Sequence, residues 1–89
     1  MTARHVFYEG RVQGVGFRWS AKHLARGFEV TGWIKNLPDS RVEMQVCGQV
    51  DEVDAFLEAI AESELKSHIK NVDTLIIAPF ATAGFHIVQ

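Results

Sequence analysis

The chain has 89 residues, of which 47% are hydrophobic and 22% are charged, and its formal net charge is −2. This length predicts one small domain, and no apolar run approaches the roughly 18 residues of a membrane-spanning helix. The negative charge excludes a generally basic nucleic-acid-binding surface, and the single cysteine, Cys47, excludes an internal disulfide. We therefore expect a cytoplasmic protein without a nucleic-acid or membrane partner.

The first half of the chain predicts two strands with a helix between them. Apolar and polar residues alternate over Arg4–Val12, which is typical of a strand. Helical spacing of apolar residues predicts a helix over Phe17–Arg26, with Gly27 as its C-cap. Alternation returns over Val30–Asn36 and predicts a second strand, which the turn-forming residues Leu37–Ser40 end.

The second half repeats this layout and completes the expected fold. Its patterns predict a strand over Arg41–Cys47, an amphipathic helix over Val50–Ala61, a strand over Ile69–Ile77 and a short final strand over Gly84–Val88. The order β-α-β-β-α-β with a terminal strand is the ferredoxin-like arrangement. We therefore predict an α+β sandwich in which two helices cover one face of a mostly antiparallel sheet.

The segment Gly10–Arg18, with the sequence GRVQGVGFR, joins the first predicted strand to the first helix. Its glycines permit positive φ and let several backbone N–H groups converge on one point. The helix N-terminus adds partial positive charge, and Arg18 adds a full charge with a forked set of donors. These features predict a site for phosphate or another small oxyanion, although such a loop alone is as often a plain turn.

Asn36 is a second candidate site residue because of where its strand ends. A helical crossover makes the first two strands parallel, so the glycine segment and Asn36 lie at the same edge of the sheet. With one strand between them, they are separated by about 10 Å. Asn36 by itself is more typical of a strand-ending turn than of a site residue, but together with Arg18 it borders a gap that fits a small phosphorylated molecule.

Two motifs in the chain resemble those of the acylphosphatase family. The sequence GRVQGVGFR over Gly10–Arg18 is similar to the family's phosphate-cradle motif. The sequence GWIKN over Gly32–Asn36, followed by Val42 and Gly48 at the expected distances, is similar to its second motif. The likeness extends over nearly the whole chain to the closing residues Gly84–Ile87. The resemblance implies the same ferredoxin-like fold that the patterns predict.

The resemblance also implies an activity, namely the hydrolysis of carboxyl-phosphate mixed anhydrides to a carboxylate and inorganic phosphate. It implies that no metal or other cofactor takes part, and that acyl phosphate and inorganic phosphate are the partners of a monomeric enzyme. The implied catalytic residues are Arg18, which clamps the phosphate, and Asn36, which positions the attacking water. The implied phosphate-binding residues are Gln13, Gly14, Val15, Gly16, Phe17 and Arg18.

One residue departs from the family's pattern. Ser40 stands where the family usually has glycine, in the turn that follows Asn36. If this turn requires positive φ, we expect serine to cost about 1 kcal/mol there and to affect the hairpin that carries Asn36. Trp19 and Trp33 are candidates for the acyl side of the substrate, with packing or surface roles as the favoured alternative.

Three other functional classes compete with the enzyme. An RNA-binding module has the same layout, but the net charge is negative and the RNP1 pattern is missing. A metal-carrying domain is disfavoured, because the chain has no C-x-x-C motif and its four histidines lack ligand spacing. These histidines are His5, His23, His68 and His86.

The main alternative is a catalytically weak anion-binding or regulatory domain, which would bind phosphate without releasing it from an acyl phosphate.

Overall fold

A five-stranded sheet with two α-helices on one face organises the protein, described here by a computed structural model of residues 1–89. In chain order the elements are β1 (Thr2–Gly10), α1 (Phe17–Ala25), β2 (Val30–Asn36), β3 (Val42–Gly48), α2 (Val50–Glu62), a 3₁₀ helix (Glu64–His68), β4 (Ile69–Ile77) and β5 (Phe85–Ile87). The strand order is β4-β1-β3-β2-β5, and all neighbours are antiparallel except β2 and β5. The predicted ferredoxin-like α+β fold is confirmed.

The core lies between the helices and one face of the sheet. On the central strands Val6 and Ile34 both pair in register with Met44, and all three side chains are fully buried. Phe17 of α1 and Phe56 of α2 are buried in the same cluster. Because burial of one such side chain stabilises the fold by about 1.5–3 kcal/mol, the apolar stripes hold both helices on this face.

Helix α1 ends differently from the prediction. Its C-cap is Arg26 in a right-handed conformation, and Gly27 does not adopt positive φ, so the prediction of a glycine C-cap is wrong. The N–H groups of Arg26 and Gly27 donate to the carbonyls of His23 and Leu24 at 3.2 and 3.0 Å. This 3₁₀-type ending satisfies the last carbonyls without a left-handed residue.

Neither this helix nor any other has the length and apolar character needed to cross a bilayer.

Strand β4 has the predicted bounds but is not buried on either face. It lies at the sheet edge beside β1, and the side chains of Val72, Leu75 and Ile76 are exposed. Only one neighbouring strand pairs with it, so its side chains have less sheet to pack against than those of the central strands. This position explains why the alternation of the sequence is irregular near Val72 and Asp73.

The topology brings the ends of β1 and β2 to one edge of the sheet. Both strands are antiparallel to β3, which lies between them, so they run parallel to each other. Gly10 ends β1 and leads into the glycine-rich loop, and Asn36 ends β2. Strand β5 is parallel to β2, with Ile87 opposite Ile34, so the residues after β5 reach the same edge.

Candidate active site

The loop over residues 12–16 and the first turn of α1 present free backbone donors, whereas the Arg11 N–H donates to the His68 carbonyl at 2.9 Å. Gly14 and Gly16 both have a φ of 76°, and a Cβ at either position would meet no atom within 4 Å. The conformation, rather than a lack of space, therefore favours glycine at both positions. Gly16 is the N-cap of α1 and provides no side-chain cap. The first N–H groups of α1 consequently remain available to an anion.

A cavity of about 200 Å³ opens beside this loop. It lies among the loop, the first turn of α1, the end of β2 and the residues that follow β5. Its lining residues are Val12, Gly14, Gly16, Phe17, Arg18, Trp19, Asn36, Ile87 and Gln89. Since a water molecule takes about 30 Å³ in the liquid, this volume is sufficient for a phosphate group and an attacking water.

Arg18 is the cation of the cavity. Its side chain is half-buried, and none of the ion pairs in the structure involves its guanidinium group. Lys35, by contrast, is on the face of the sheet away from the helices, where its Nζ lies 3.8 Å from a Glu43 carboxylate oxygen. The structure contains no cluster of His, Cys, Asp and Glu side chains that could hold a metal ion. The available positive groups are thus Arg18 and the loop amides.

Asn36 supplies a polar side chain to the cavity wall. It pairs with Val42 at the end of β2 and borders the cavity. Its Oδ1 atom is buried and has no hydrogen-bond partner, and it is the only buried side-chain oxygen or nitrogen of the chain in that state. A buried acceptor left unpaired costs about 1–3 kcal/mol. A donor that reaches this oxygen would satisfy it.

The predicted site residues divide into two groups. Gly14, Gly16, Phe17, Arg18 and Asn36 all border the cavity, although the Phe17 side chain is buried in the core. The other two, Gln13 and Val15, do not line it.

The two residues outside the lining have different environments. The Gln13 Nε2 atom donates hydrogen bonds to the carbonyl oxygens of Leu37 and Arg41, at 2.8 and 2.9 Å. Val15 is exposed at the tip of the loop. Neither side chain is placed to bind a phosphate in the cavity, so any such role for these residues belongs to their backbone N–H groups.

The turn after Asn36 requires a positive φ at Ser40, where the family usually has glycine. Ser40 has a φ of 80° and is the only non-glycine residue of the chain with positive φ. Its N–H donates to the Leu37 carbonyl at 3.2 Å, and the Leu37 N–H donates to the Arg41 carbonyl at 2.8 Å. Asp39 accepts hydrogen bonds from the Arg41 backbone N–H at 3.1 Å and from its Nε at 2.8 Å, and these contacts lower the pKa of Asp39.

Part of the cavity wall is formed by residues outside the two sequence motifs. Ile87 and Gln89 line the cavity because β5 runs parallel to β2, and the order of the strands was the only feature that could have indicated this. Trp19 also borders the cavity, but its ring is largely exposed and stacks on His23, with 4.2 Å between the ring centroids. Trp33 is not part of the lining.

Comparisons with known proteins find similarity to one family in both sequence and fold. The family model for acylphosphatase matches residues 4–87. An acylphosphatase of Thermococcus kodakarensis is 37% identical over 84 residues, which cover 94% of this chain and 92% of that protein. The crystal structure of acylphosphatase from Bacillus subtilis is similar over 100% of both chains, with a TM-score of 0.91 and 30% identity. An acylphosphatase structure from Coxiella burnetii is similar over 98% of this chain and 92% of its own, with a TM-score of 0.87 and 33% identity.

Proposed function

Because the chain belongs to the acylphosphatase family, whose members are hydrolases of acyl phosphates, we propose that the cavity beside the glycine-rich loop is its active site. In this proposal the phosphate group of the substrate binds to Arg18 and to the backbone N–H groups of residues 13–18. The uncapped N-terminus of α1 and the unpaired guanidinium of Arg18 support it, since both attract a dianion.

The unpaired Oδ1 atom of Asn36 is the observation that carries the proposal. A water molecule that reaches this oxygen from the cavity would donate a hydrogen bond to it and would thereby be oriented toward the phosphorus atom. The Asn36 Nδ2 group remains able to donate to a phosphate oxygen. Asn36 thus holds the nucleophile, and Arg18 with the loop amides holds the group that is attacked.

The chemistry requires few further groups. An acyl phosphate releases a carboxylate, whose conjugate acid has a pKa of about 4, so the leaving group departs without a proton from a general acid. The transition state of phosphoryl transfer is loose and needs little nucleophilic push, so a strong base is not required either. Charge neutralisation and in-line placement of water are then the main contributions of the protein.

The test measures orthophosphate release from acetyl phosphate and benzoyl phosphate, with EDTA present throughout. We expect turnover by the wild type, loss of most binding and turnover in Arg18→Ala, and a loss mainly of kcat in Asn36→Ala. Inorganic phosphate should inhibit the wild type competitively and should still bind Asn36→Ala. A wild-type protein that binds phosphate but releases none from either substrate would support the anion-binding alternative.

Matched variants control for general effects of these substitutions. Arg26→Ala removes an exposed arginine after α1, and Asn71→Ala removes an exposed asparagine on β4; neither residue lines the cavity. Both variants should have wild-type kcat and KM. Near-normal turnover in Asn36→Ala, or a strict requirement for added metal, would contradict the proposed mechanism.

We further propose that the chain acts as a monomer in the cytoplasm. Arg18, Asn36 and the glycine-rich loop of a single copy border the cavity, so the proposed chemistry requires no residue from a second copy. Cys47 is free and buried, which is consistent with a reducing compartment. Sedimentation at catalytic concentrations and fractionation of the source cells test these two points.

A further inference from the structure

The Gln13 side chain connects the glycine-rich loop to the hairpin between β2 and β3. Its Nε2 group donates to the Leu37 carbonyl at 2.8 Å and to the Arg41 carbonyl at 2.9 Å, and the side chain is half-buried. Leu37 directly follows Asn36, and Gln13 directly precedes Gly14. The two parts of the proposed site are therefore joined by one carboxamide group.

These hydrogen bonds are not needed to satisfy the two carbonyls. The Leu37 carbonyl already accepts from the Ser40 N–H at 3.2 Å, and the Arg41 carbonyl accepts from the Leu37 N–H at 2.8 Å. Loss of the Gln13 amide would leave each carbonyl with a backbone partner, so the hairpin should still form. The Gln13 amide instead fixes the position of the hairpin relative to the glycine-rich loop.

We propose that Gln13 is a positioning residue, which holds the Asn36 carboxamide in register with the phosphate bound by the loop. The proposal rests on the function assigned above. Catalysis by oriented water depends steeply on geometry, and a displacement of about 1 Å can reduce turnover by about 10²-fold. The Gln13 hydrogen bonds connect the anion-binding loop to the backbone next to Asn36. The backbone N–H of Gln13 retains its separate role toward phosphate.

The first test replaces Gln13 by methionine, which keeps the length of the side chain but has no donor. We expect kcat to fall by about 10- to 100-fold, while KM and the inhibition constant of phosphate change by no more than about threefold. In the Asn36→Ala background the same substitution should reduce kcat by less than about threefold, because the residue being positioned is already gone. Equal losses of kcat in both backgrounds would overturn the proposal.

A second test uses the charge of the replacement. In Gln13→Glu an ionised carboxylate faces two carbonyl oxygens and repels them, whereas the protonated acid can donate one hydrogen bond. The ratio of kcat in Gln13→Glu to kcat in the wild type should therefore rise as the pH falls through the pKa of the new carboxyl group. A ratio that is independent of pH would contradict a positioning role for this amide.

Asp39→Ala is the matched control for loosening of the hairpin. It removes the side-chain contacts of Asp39 with Arg41 in the same turn but leaves the Gln13 bonds in place. We expect its kcat to equal that of the wild type, and a loss as large as that of Gln13→Met would show that general flexibility of the turn is responsible. No phosphate release by the wild type would contradict the proposed function itself, wild-type turnover in Asn36→Ala would contradict the proposed role of Asn36, and additive losses with an impaired Asn36→Ala would contradict only the coupling.

Discussion

Arg18, the second residue of α1, and Asn36, the last residue of β2, line the same cavity. They meet because β1 and β2 flank β3 and run in the same direction, so that the loop after β1 and the end of β2 lie at one edge. In the proposed mechanism the guanidinium group binds the phosphate and the carboxamide places the water. Each of the two functions can be changed separately.

Replacement of Arg18 by lysine should separate charge from geometry. Lysine keeps the positive charge but loses the planar fork of donors that can contact two phosphate oxygens at once. Because one charge-assisted hydrogen bond contributes about 1.5–3 kcal/mol, we expect the inhibition constant of phosphate to rise by about tenfold or more. Competition assays measure this constant, and Arg26→Lys is the control. An unchanged constant would show that Arg18 contributes charge alone.

Replacement of Ser40 by glycine should stabilise the fold. Ser40 has a φ of 80°, where a side chain costs about 1 kcal/mol relative to glycine. A gain of this size raises the melting temperature of a domain of this length by about 4–8 °C. Ser67→Gly, in the 3₁₀ helix and without positive φ, should not stabilise the fold. A lower melting temperature in Ser40→Gly would mean that the serine side chain contributes more than its backbone strain costs.

The sequence predicted those features that depend on local pattern. The bounds of β2 were correct because regular alternation ends at a run of turn-forming residues. The position of Arg18 in the first turn of α1 was correct because its loop and helix are local structures. The hydrogen-bond partners of the Gln13 side chain were not predictable, since both acceptors belong to a hairpin whose position depends on the whole sheet. No local sequence pattern indicated that Gln89 lines the cavity, because its position depends on the parallel pairing of β5 with β2.

Replacement of Gly32 by alanine should destabilise the central sheet. Gly32 has a φ of 155°, and a Cβ there would lie 2.0 Å from the Gln45 carbonyl oxygen on β3. The backbone must move to relieve this overlap, so we expect the free energy of unfolding to fall by about 2–4 kcal/mol. Urea unfolding of the variant measures this loss.

Gly27→Ala is the matched control for this substitution. Gly27 lacks positive φ, and the nearest atom to its added Cβ would be the Leu24 carbonyl oxygen at 3.5 Å, an ordinary contact. Alanine there should leave the stability unchanged or raise it by about 0.4–1 kcal/mol, because the unfolded chain loses conformational freedom. Equal losses in the two variants would contradict the close approach of β2 and β3 as the cause.

The alkaline limit of stability should depend on Tyr8, the only tyrosine of the chain. Its side chain is almost completely buried, and this burial raises its pKa above the usual value of about 10. The folded state therefore prefers the neutral phenol more strongly than the unfolded state does. The stability that follows is fully present below about pH 10 and is lost as the pH rises further, because only the unfolded chain ionises readily. Tyrosinate absorbance should appear together with the loss of helical circular dichroism, and Tyr8→Phe should lose less stability over the same pH range. Tyrosinate formed near pH 10 while the helices persist would contradict the burial of this side chain as the cause of the raised pKa.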